Sequence, residues 1–503
     1  MSKLLRGGRI PSVKEDVVNF TSSIQNDKKL LNAVIKINQA HVIMLMEQKI
    51  VEWIDGVKLL QALNELKPNM ELEPSIEDVH MLIEGKIIET CGPEVGGNLH
   101  IAKSRNDQVA TAIRMELREN LISLMSSIVG LQEALIKLAE GNPKTLFPGY
   151  THMQPAQPVT FAHYLLSYID CFRRDLQRLE ETYERVNLCP MGAGALATSS
   201  FPTNRERVAE LLGFSGVLEN SIDAVSSRDF VLETLAVLAI TAVDISRLAE
   251  DLILFGSSDL GLIELPDDFC STSSIMPQKK NPDVLEVIRA RMSQVLGNFT
   301  TSAAALKALP SGYNLDFQEI TPRLWESLEI VESSLEMLSK LVPNLKLQKD
   351  ALAKPQFSFL AATELANMLV RKYKVPFRSA HKIVGSMVRE LISKGLTLNS
   401  VTPELLNKAS NSFGFMLNVK HEDLQEAVDL LKIVESHNVM GGPSPNEVER
   451  MLKTRKEWSL LAKSKLSKRK LEVDKAYEEM RAVIKSYLTS SKSEPQALKS
   501  PKA

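Results

Sequence analysis

Residues 107–140 read DQVATAIRMELRENLISLMSSIVGLQEALIKLAE, and apolar side chains recur there at three- and four-residue steps: Val109, Ile113, Leu117, Leu121, Leu124 and Ile128. That spacing lays one apolar stripe along an α-helix. Comparable patterns fill residues 161–186, 223–255, 282–309, 324–341 and 359–373. Several of these run well past the length of an ordinary globular helix. Aromatic residues make up only 5% of the chain and Val/Ile alternation is scarce, so few strands are expected. The sequence predicts an all-α protein built around a bundle of long helices.

The chain has 503 residues, past the size at which a single hydrophobic core stops growing, which predicts two or three domains. With 44% hydrophobic and 24% charged residues, a large core is available and wholesale disorder is excluded. Lysine plus arginine total 60 and aspartate plus glutamate total 62. The chain as a whole therefore lacks the net basic character of a nucleic-acid or membrane-surface protein. Cys91, Cys171, Cys189 and Cys270 are scattered, with no CxxC pair and no clustered metal-ligand spacing. That is the cysteine usage of a reducing compartment, and a cytoplasmic location is expected. The first residues, MSKLLRGGRIPSVKED, contain no apolar signal region. The most apolar stretch, 230–255, is interrupted by Glu233, Asp244, Arg247, Glu250 and Asp251. Its uncharged run falls short of the ~20 residues a membrane span needs.

Three polar segments carry the candidate chemistry. The connection 256–281 is about two dozen residues long and contains Ser273-Ser274-Ile275-Met276-Pro277-Gln278-Lys279-Lys280-Asn281-Pro282-Asp283 at its end. Asn281 suits an N-cap, Pro282 a first helical position and Asp283 a first turn. A helix start beside Lys279 can hold a carboxylate, and a nearby serine can be activated there. A solvated, well-capped loop explains the same residues without chemistry. In Gly149-Tyr150-Thr151-His152-Met153-Gln154-Pro155-Ala156-Gln157, prolines 155 and 158 delay any helix to about Thr160. His152 is thus placed on a loop or helix entrance, where it is either an acid–base group or a structural histidine. The third segment, residues 100–111, ends a glycine-rich loop and opens the long helix, with Ser104 or Asn106 as its cap. Two weaker patterns carry nothing further. Gly192-Ala193-Gly194 with Ala197 lacks the preceding strand of a dinucleotide site. The basic run 465–470, KLSKRK, reads as the solvated face of a charged helix.

Taken together, the three segments resemble the fumarase/aspartase superfamily, whose shared signature is a GSS-x-MP-x-K-x-NP loop. Residues 272–282 match it except at the first position, where Thr272 stands for glycine. Residues 104–108 (SRNDQ), 276–282 (MPQKKNP), 151–157 (THMQPAQ), 220–230 (NSIDAVSSRDF) and 313–318 (YNLDFQ) resemble its argininosuccinate lyase branch. The resemblance spans roughly residues 1–450.

That resemblance implies a three-domain helical subunit with a central five-helix bundle, four of which form a twenty-helix core in a homotetramer with active sites shared between subunits. The corresponding divisions are a helical domain at 1–105, the bundle with its catalytic loop at 106–358 and a helical domain at 359–489; the tail at 490–503 lies outside the resemblance, and its Ser/Lys/Pro-rich composition predicts disorder. It implies β-elimination of argininosuccinate to arginine and fumarate, with no metal or organic cofactor. In that scheme Ser273, ionised, removes the β-proton; Lys279, Asn281 and the helix start stabilise the aci-carboxylate; His152 and Glu286 serve the departing guanidinium. Ser23, Ser104, Arg105, Asn106, Thr151, Asn281, Tyr313 and Gln318 match positions that hold the substrate. Two departures matter: Val34 replaces an acidic pattern, and Thr321 stands where a lysine is usual, with Arg323 a possible substitute. A sister lyase acting on adenylosuccinate, aspartate or malate, and an inactive protein on the same fold, are the alternatives.

Overall fold

The computed structural model describes residue 9 and residues 13–67, 70, 72, 76–348 and 350–490. Nearly all of the expected tail lies outside this range. Five long helices run side by side: α1 (Arg105–Glu140), α2 (Phe161–Val186), α3 (Asp229–Gly256), α4 (Asp283–Leu306) and α5 (Phe317–Leu341). Helices α1, α3 and α5 run in one direction and α2 and α4 return, so the bundle has two distinct ends. At 1.5 Å per residue, the 36 residues of α1 separate those ends by roughly 50 Å.

Local chemistry sets the helix starts. Ser104 caps α1: its Oγ accepts the Asn106 N–H at 3.3 Å, while its own N–H donates to Asp107 Oδ1 at 3.0 Å. The reciprocal pair is a capping box, and Asn106 is left free for another partner. Thr160 caps α2 through the His163 N–H at 3.1 Å. The expected cap of α4 is corrected. Pro282, with non-helical backbone, occupies the cap position and Asp283 is the first helical residue. Asn281 instead pairs with Ser271 in a two-rung ladder, β3 (Ser271–Thr272) against β4 (Lys280–Asn281). The expected 223–255 helix is broken at Ser227 and Arg228, leaving a short helix at Ser221–Ser226 before α3.

Between α1 and α2 the chain forms a hairpin, β1 (Leu146–Thr151) and β2 (Gln154–Thr160). Thr151 faces Gln154, so His152 and Met153 alone make the turn, with φ of 54° and 58°. Positive φ at both turn residues is what a two-residue hairpin of this twist requires.

Apolar residues of the bundle and the N-terminal helices form one large buried cluster. Residues 361–433 form a second, separate cluster. The final helix, α6 (Pro445–Thr489), packs its Val448, Met451, Leu466, Tyr477 and Ile484 into the first cluster rather than the second. Among the described residues, α1 alone is long and apolar enough to cross a membrane, and most of its apolar window is buried inside the fold. It is the central helix of a packed core.

Candidate active site

The expected site residues fall into two groups, one at each end of the bundle. At the end where α1 and α5 begin, a cavity of about 360 Å³ is lined by Ser23, Ser104, Arg105, Tyr313 and Gln318 together. The Ser23 N–H donates to the Glu77 carbonyl at 2.9 Å and its hydroxyl to Asp27 Oδ2 at 2.6 Å. Arg105 pairs with Asp78 through Nη1. Gln318 Nε2 donates to the Thr21 carbonyl at 3.1 Å, tying α5 to the N-terminal segment. Tyr313 stands edge-on to Phe317, ring centroids 5.5 Å apart, and burial raises its phenol above the usual range. Asn106 lies beside the cavity, its amide donating to the Ala195 carbonyl at 3.1 Å.

Behind these residues the buried Arg228 guanidinium stacks 4.4 Å from the centre of the Phe317 ring. That contact explains the break between the short helix and α3. Arg228 turns inward there, and its Nη1 donates to the carbonyls of Val225 and Ser227 at 3.2 and 2.7 Å. Arg323, the possible substitute for the missing lysine, is half-exposed and faces Glu326 at 3.6 Å. Thr321 lines the cavity, but its hydroxyl donates to the Phe317 carbonyl at 3.1 Å.

The remaining residues, Thr151, His152, Ser273, Lys279, Asn281 and Glu286, lie at the opposite end. Thr151 and His152 are exposed at the hairpin tip. Phe147 and Tyr150 of the hairpin pack on Phe255 near the end of α3, at 5.0 and 6.2 Å between ring centroids. This welds the hairpin to the helix from which the Ser273 segment departs. Ser273 Oγ accepts the N–H groups of Ile275 at 3.3 Å and Met276 at 3.1 Å. Two converging donors favour a negative charge on that oxygen. Asn281 Nδ2 donates to Ser271 Oγ at 3.4 Å. Glu286 is exposed in the first turn of α4, not the second as its expected cap implied. Lys279 lines a larger cavity of about 920 Å³ on the inner side of the segment. Lys280 fixes the segment from below, donating to the Leu265 carbonyl and Asp267 Oδ1, both at 2.5 Å.

Among the cavity residues that escaped the sequence reading are Asp27, Asp78 and His80. Asp27 follows Ser23 by four residues, and only the turn between them brings the two side chains together. Asp78 is an N-cap, accepting the Met81 N–H at 2.8 Å, a role that was legible locally. His80 is fully buried, and nothing in its neighbourhood in the sequence marks it.

Comparison with known proteins follows the same lines. Residues 12–297 match the family described as Lyase, and residues 359–435 match the family described as Argininosuccinate lyase C-terminal. The argininosuccinate lyase of Methanocaldococcus jannaschii is 45% identical over 462 residues, 90% of this chain and 94% of the relative. That of Methanosarcina mazei is 40% identical over 492 residues, 97% of this chain and 99% of the relative. Among solved structures, EDDS lyase in complex with formate superposes with a TM-score of 0.87 at 29% identity, covering 93% of each chain. A fumarate lyase from Mesorhizobium sp. BNC1 shares the fold, with a TM-score of 0.71 at 19% identity over 89% of this chain and 99% of that one.

Proposed function

This chain belongs to the argininosuccinate lyase family, and on that footing we propose that it cleaves argininosuccinate to arginine and fumarate with the residues gathered at the two bundle ends. The observation that carries the reading is Ser273 Oγ held under two backbone N–H donors, beside Lys279 and the start of α4. Those donors lower the free energy of a serine alkoxide, the most demanding species in a β-elimination run without a metal. The alkoxide takes the β-proton of the succinyl half. The electron pair moves into the adjacent carboxylate, which becomes an aci-carboxylate. Lys279, the Asn281 amide and the free N–H groups at the start of α4 stabilise that charge. Collapse expels the guanidinium nitrogen, with His152 and Glu286 positioned to serve it. Ser23, Ser104, Arg105, Asn106, Tyr313 and Gln318 hold the other half of the substrate, and Thr151 contacts it from the hairpin.

One chain cannot do this alone. The two groups are separated by most of the bundle, roughly 35–50 Å along α4 and α1. The substrate spans roughly 15 Å, about four extended residues. We therefore assign the working form to a homotetramer in which one copy supplies the α1/α5 cavity and others the hairpin and the Ser273 segment. Ile240 and Val243 of α3 and Val287 and Leu296 of α4 support this, each more than two-fifths exposed on the bundle. The four unpaired cysteines fit the reducing interior of a cell.

The test is the ultraviolet absorbance of fumarate released from argininosuccinate by the purified protein. Ser273→Ala should lower kcat by about a thousandfold or more while leaving the fold intact. Release of fumarate from adenylosuccinate, aspartate or malate instead would move the chain to a sister activity. Undiminished turnover by Ser273→Ala would remove the serine from its role.

A further inference from the structure

A small cavity of about 100 Å³ lies where α6 packs across α1 and α2, away from both bundle ends. Arg173 and Glu180 of α2 and Arg455, Trp458, Ser459 and Lys465 of α6 line it, and no residue of the two groups described above does. Its α1 wall, Gln132, stands roughly 40 Å along the helix from the α1/α5 cavity. The apolar positions assigned to subunit contact are on α3 and α4, which contribute nothing to this cavity. Arg455 is neutralised by Asp170, its Nε donating to Oδ1 at 3.0 Å and its Nη2 to Oδ2 at 2.7 Å. Glu180 has Lys465 Nζ at 4.0 Å and Arg469 Nη1 at 3.9 Å. Arg173 is the exception. Among the described residues it forms no ion pair, and its guanidinium rests 3.2 Å from the centre of the Trp458 ring. An indole face attracts the cation but leaves its N–H edges open to an acceptor.

A second, independent feature is Ser459. It is 5% exposed, and its Oγ has no hydrogen-bond partner. A helical serine ordinarily turns out to water or bonds back to the carbonyl four residues before it, and buried polar atoms are rarely left single. Together these groups make a donor-rich pocket: a guanidinium edge, an ammonium and a hydroxyl proton, against one carboxylate that already has its own cations. Donors reaching in from two helices suit a tetrahedral oxyanion better than a flat carboxylate, and the guanidinium fork matches phosphate geometry. Size narrows the choice further. The cavity has room for a few waters, hence for one phosphate group and not for a nucleotide. The Trp458 ring is no platform for a ligand ring, since Arg455 also lies over it, 4.7 Å from its centre. We propose that this cavity is a binding site for a phosphate group, held by Arg173, Ser459 and Lys465. The bound anion ties α2 to α6 and supplies Arg173 with its missing counter-charge.

The test is a fluorescence titration of the full chain with inorganic phosphate near neutral pH, the ionic strength held constant with sodium chloride. The chain has three tryptophans, so the Trp458 signal is taken as the difference between the parent and Trp458→Phe. A few charge-assisted hydrogen bonds at a half-open site predict saturation with a Kd of roughly 0.1–1 mM. Arg173→Gln should weaken binding by about tenfold or more, and Ser459→Ala by about three- to tenfold. Arg173→Lys should restore only part of the loss, because it keeps the charge and lacks the fork. Acetate at the same ionic strength should bind at least about tenfold more weakly than phosphate. Methyl phosphate separates two sources of the same chemistry. Binding as tight as that of phosphate identifies a phosphomonoester and binding of phosphate alone the free ion, and either outcome supports the site. No saturable change at Trp458, equal binding of acetate, or binding unaltered by both Arg173→Gln and Ser459→Ala overturns it. Should Arg173→Gln disturb the fold, seen in its melting profile without phosphate, Lys465→Gln takes its place, since that side chain is exposed and its loss should also weaken binding.

Discussion

Arg118 is wholly enclosed, yet it is the most heavily bonded side chain in the core. Its guanidinium donates to Asn187 Oδ1 at 3.0 Å, to the carbonyls of Leu212 and Gly213 at 3.0 and 2.7 Å, and to the Tyr477 hydroxyl at 3.0 Å. One residue of α1 thereby joins the 187–213 connection to the final helix. Arg118→Met keeps the bulk and strands those acceptors, each costing about 1–3 kcal/mol when buried unpaired. A loss of at least ~3 kcal/mol is expected, read as a fall in the urea midpoint. Lysine should rescue little of it, because an ammonium cannot span the fork. Asp27 gives a prediction of opposite sign. Its folded pKa, about 7, lies above the unfolded value of 3.8, so the folded state holds the proton more tightly. Stability from this group is present below about pH 4 and is lost as pH rises through 7. Asp27→Asn removes that dependence. It should gain about 1–2 kcal/mol on the parent between pH 5 and pH 8, followed by thermal melts across that range. Residues of this kind are where the sequence was least legible. Ser23, Tyr313 and Gln318 could be placed by motif, but a carboxylate four residues from Ser23 becomes informative only once its surroundings are known.

At the scale of elements, periodicity located the five long helices, since an apolar stripe facing a core is a local property of the chain, but it began α3 six residues early and α5 seven residues late. What it could not locate were pieces made by long-range pairing. The β1–β2 hairpin contains Pro148, Pro155 and Pro158, which argue against strands unless both are edges, as they are here. The β3–β4 ladder depends on Ser271 meeting Asn281 across the Ser273 segment, and that pairing displaced the cap of α4 by one residue. The basic run at 465–470 is only partly a solvated face. Arg469 docks on Glu184 at 2.6 Å and over the Tyr183 ring, while Lys468 and Lys470 remain exposed. The hairpin turn itself is testable. Met153 holds φ of 58°, a left-handed conformation that disfavours any side chain with a Cβ. Met153→Gly should stabilise the protein by about 1 kcal/mol and leave fumarate release nearly unchanged, because the side chain is exposed and His152 keeps its backbone.

For the molecule as a whole, the proposed assembly makes the apolar faces of α3 and α4 structural interior. Ile240→Asp with Val287→Asp should therefore shift the protein from tetramer towards smaller species in analytical ultracentrifugation. Activity should fall with assembly, while each subunit keeps its helical circular dichroism. A tetramer that survives both substitutions would place the contact surface elsewhere. The separation of the two residue groups by the length of α1 also has a consequence for inheritance. An allele altered at Gln318 and an allele altered at Ser273 each encode a protein that is inactive by itself. Co-expressed, their products mix at random, and some hybrid sites draw the cavity from one parent and the serine from the other. Such a cell regains a fraction of its lyase activity, whereas two alleles damaged at the same bundle end remain null in combination.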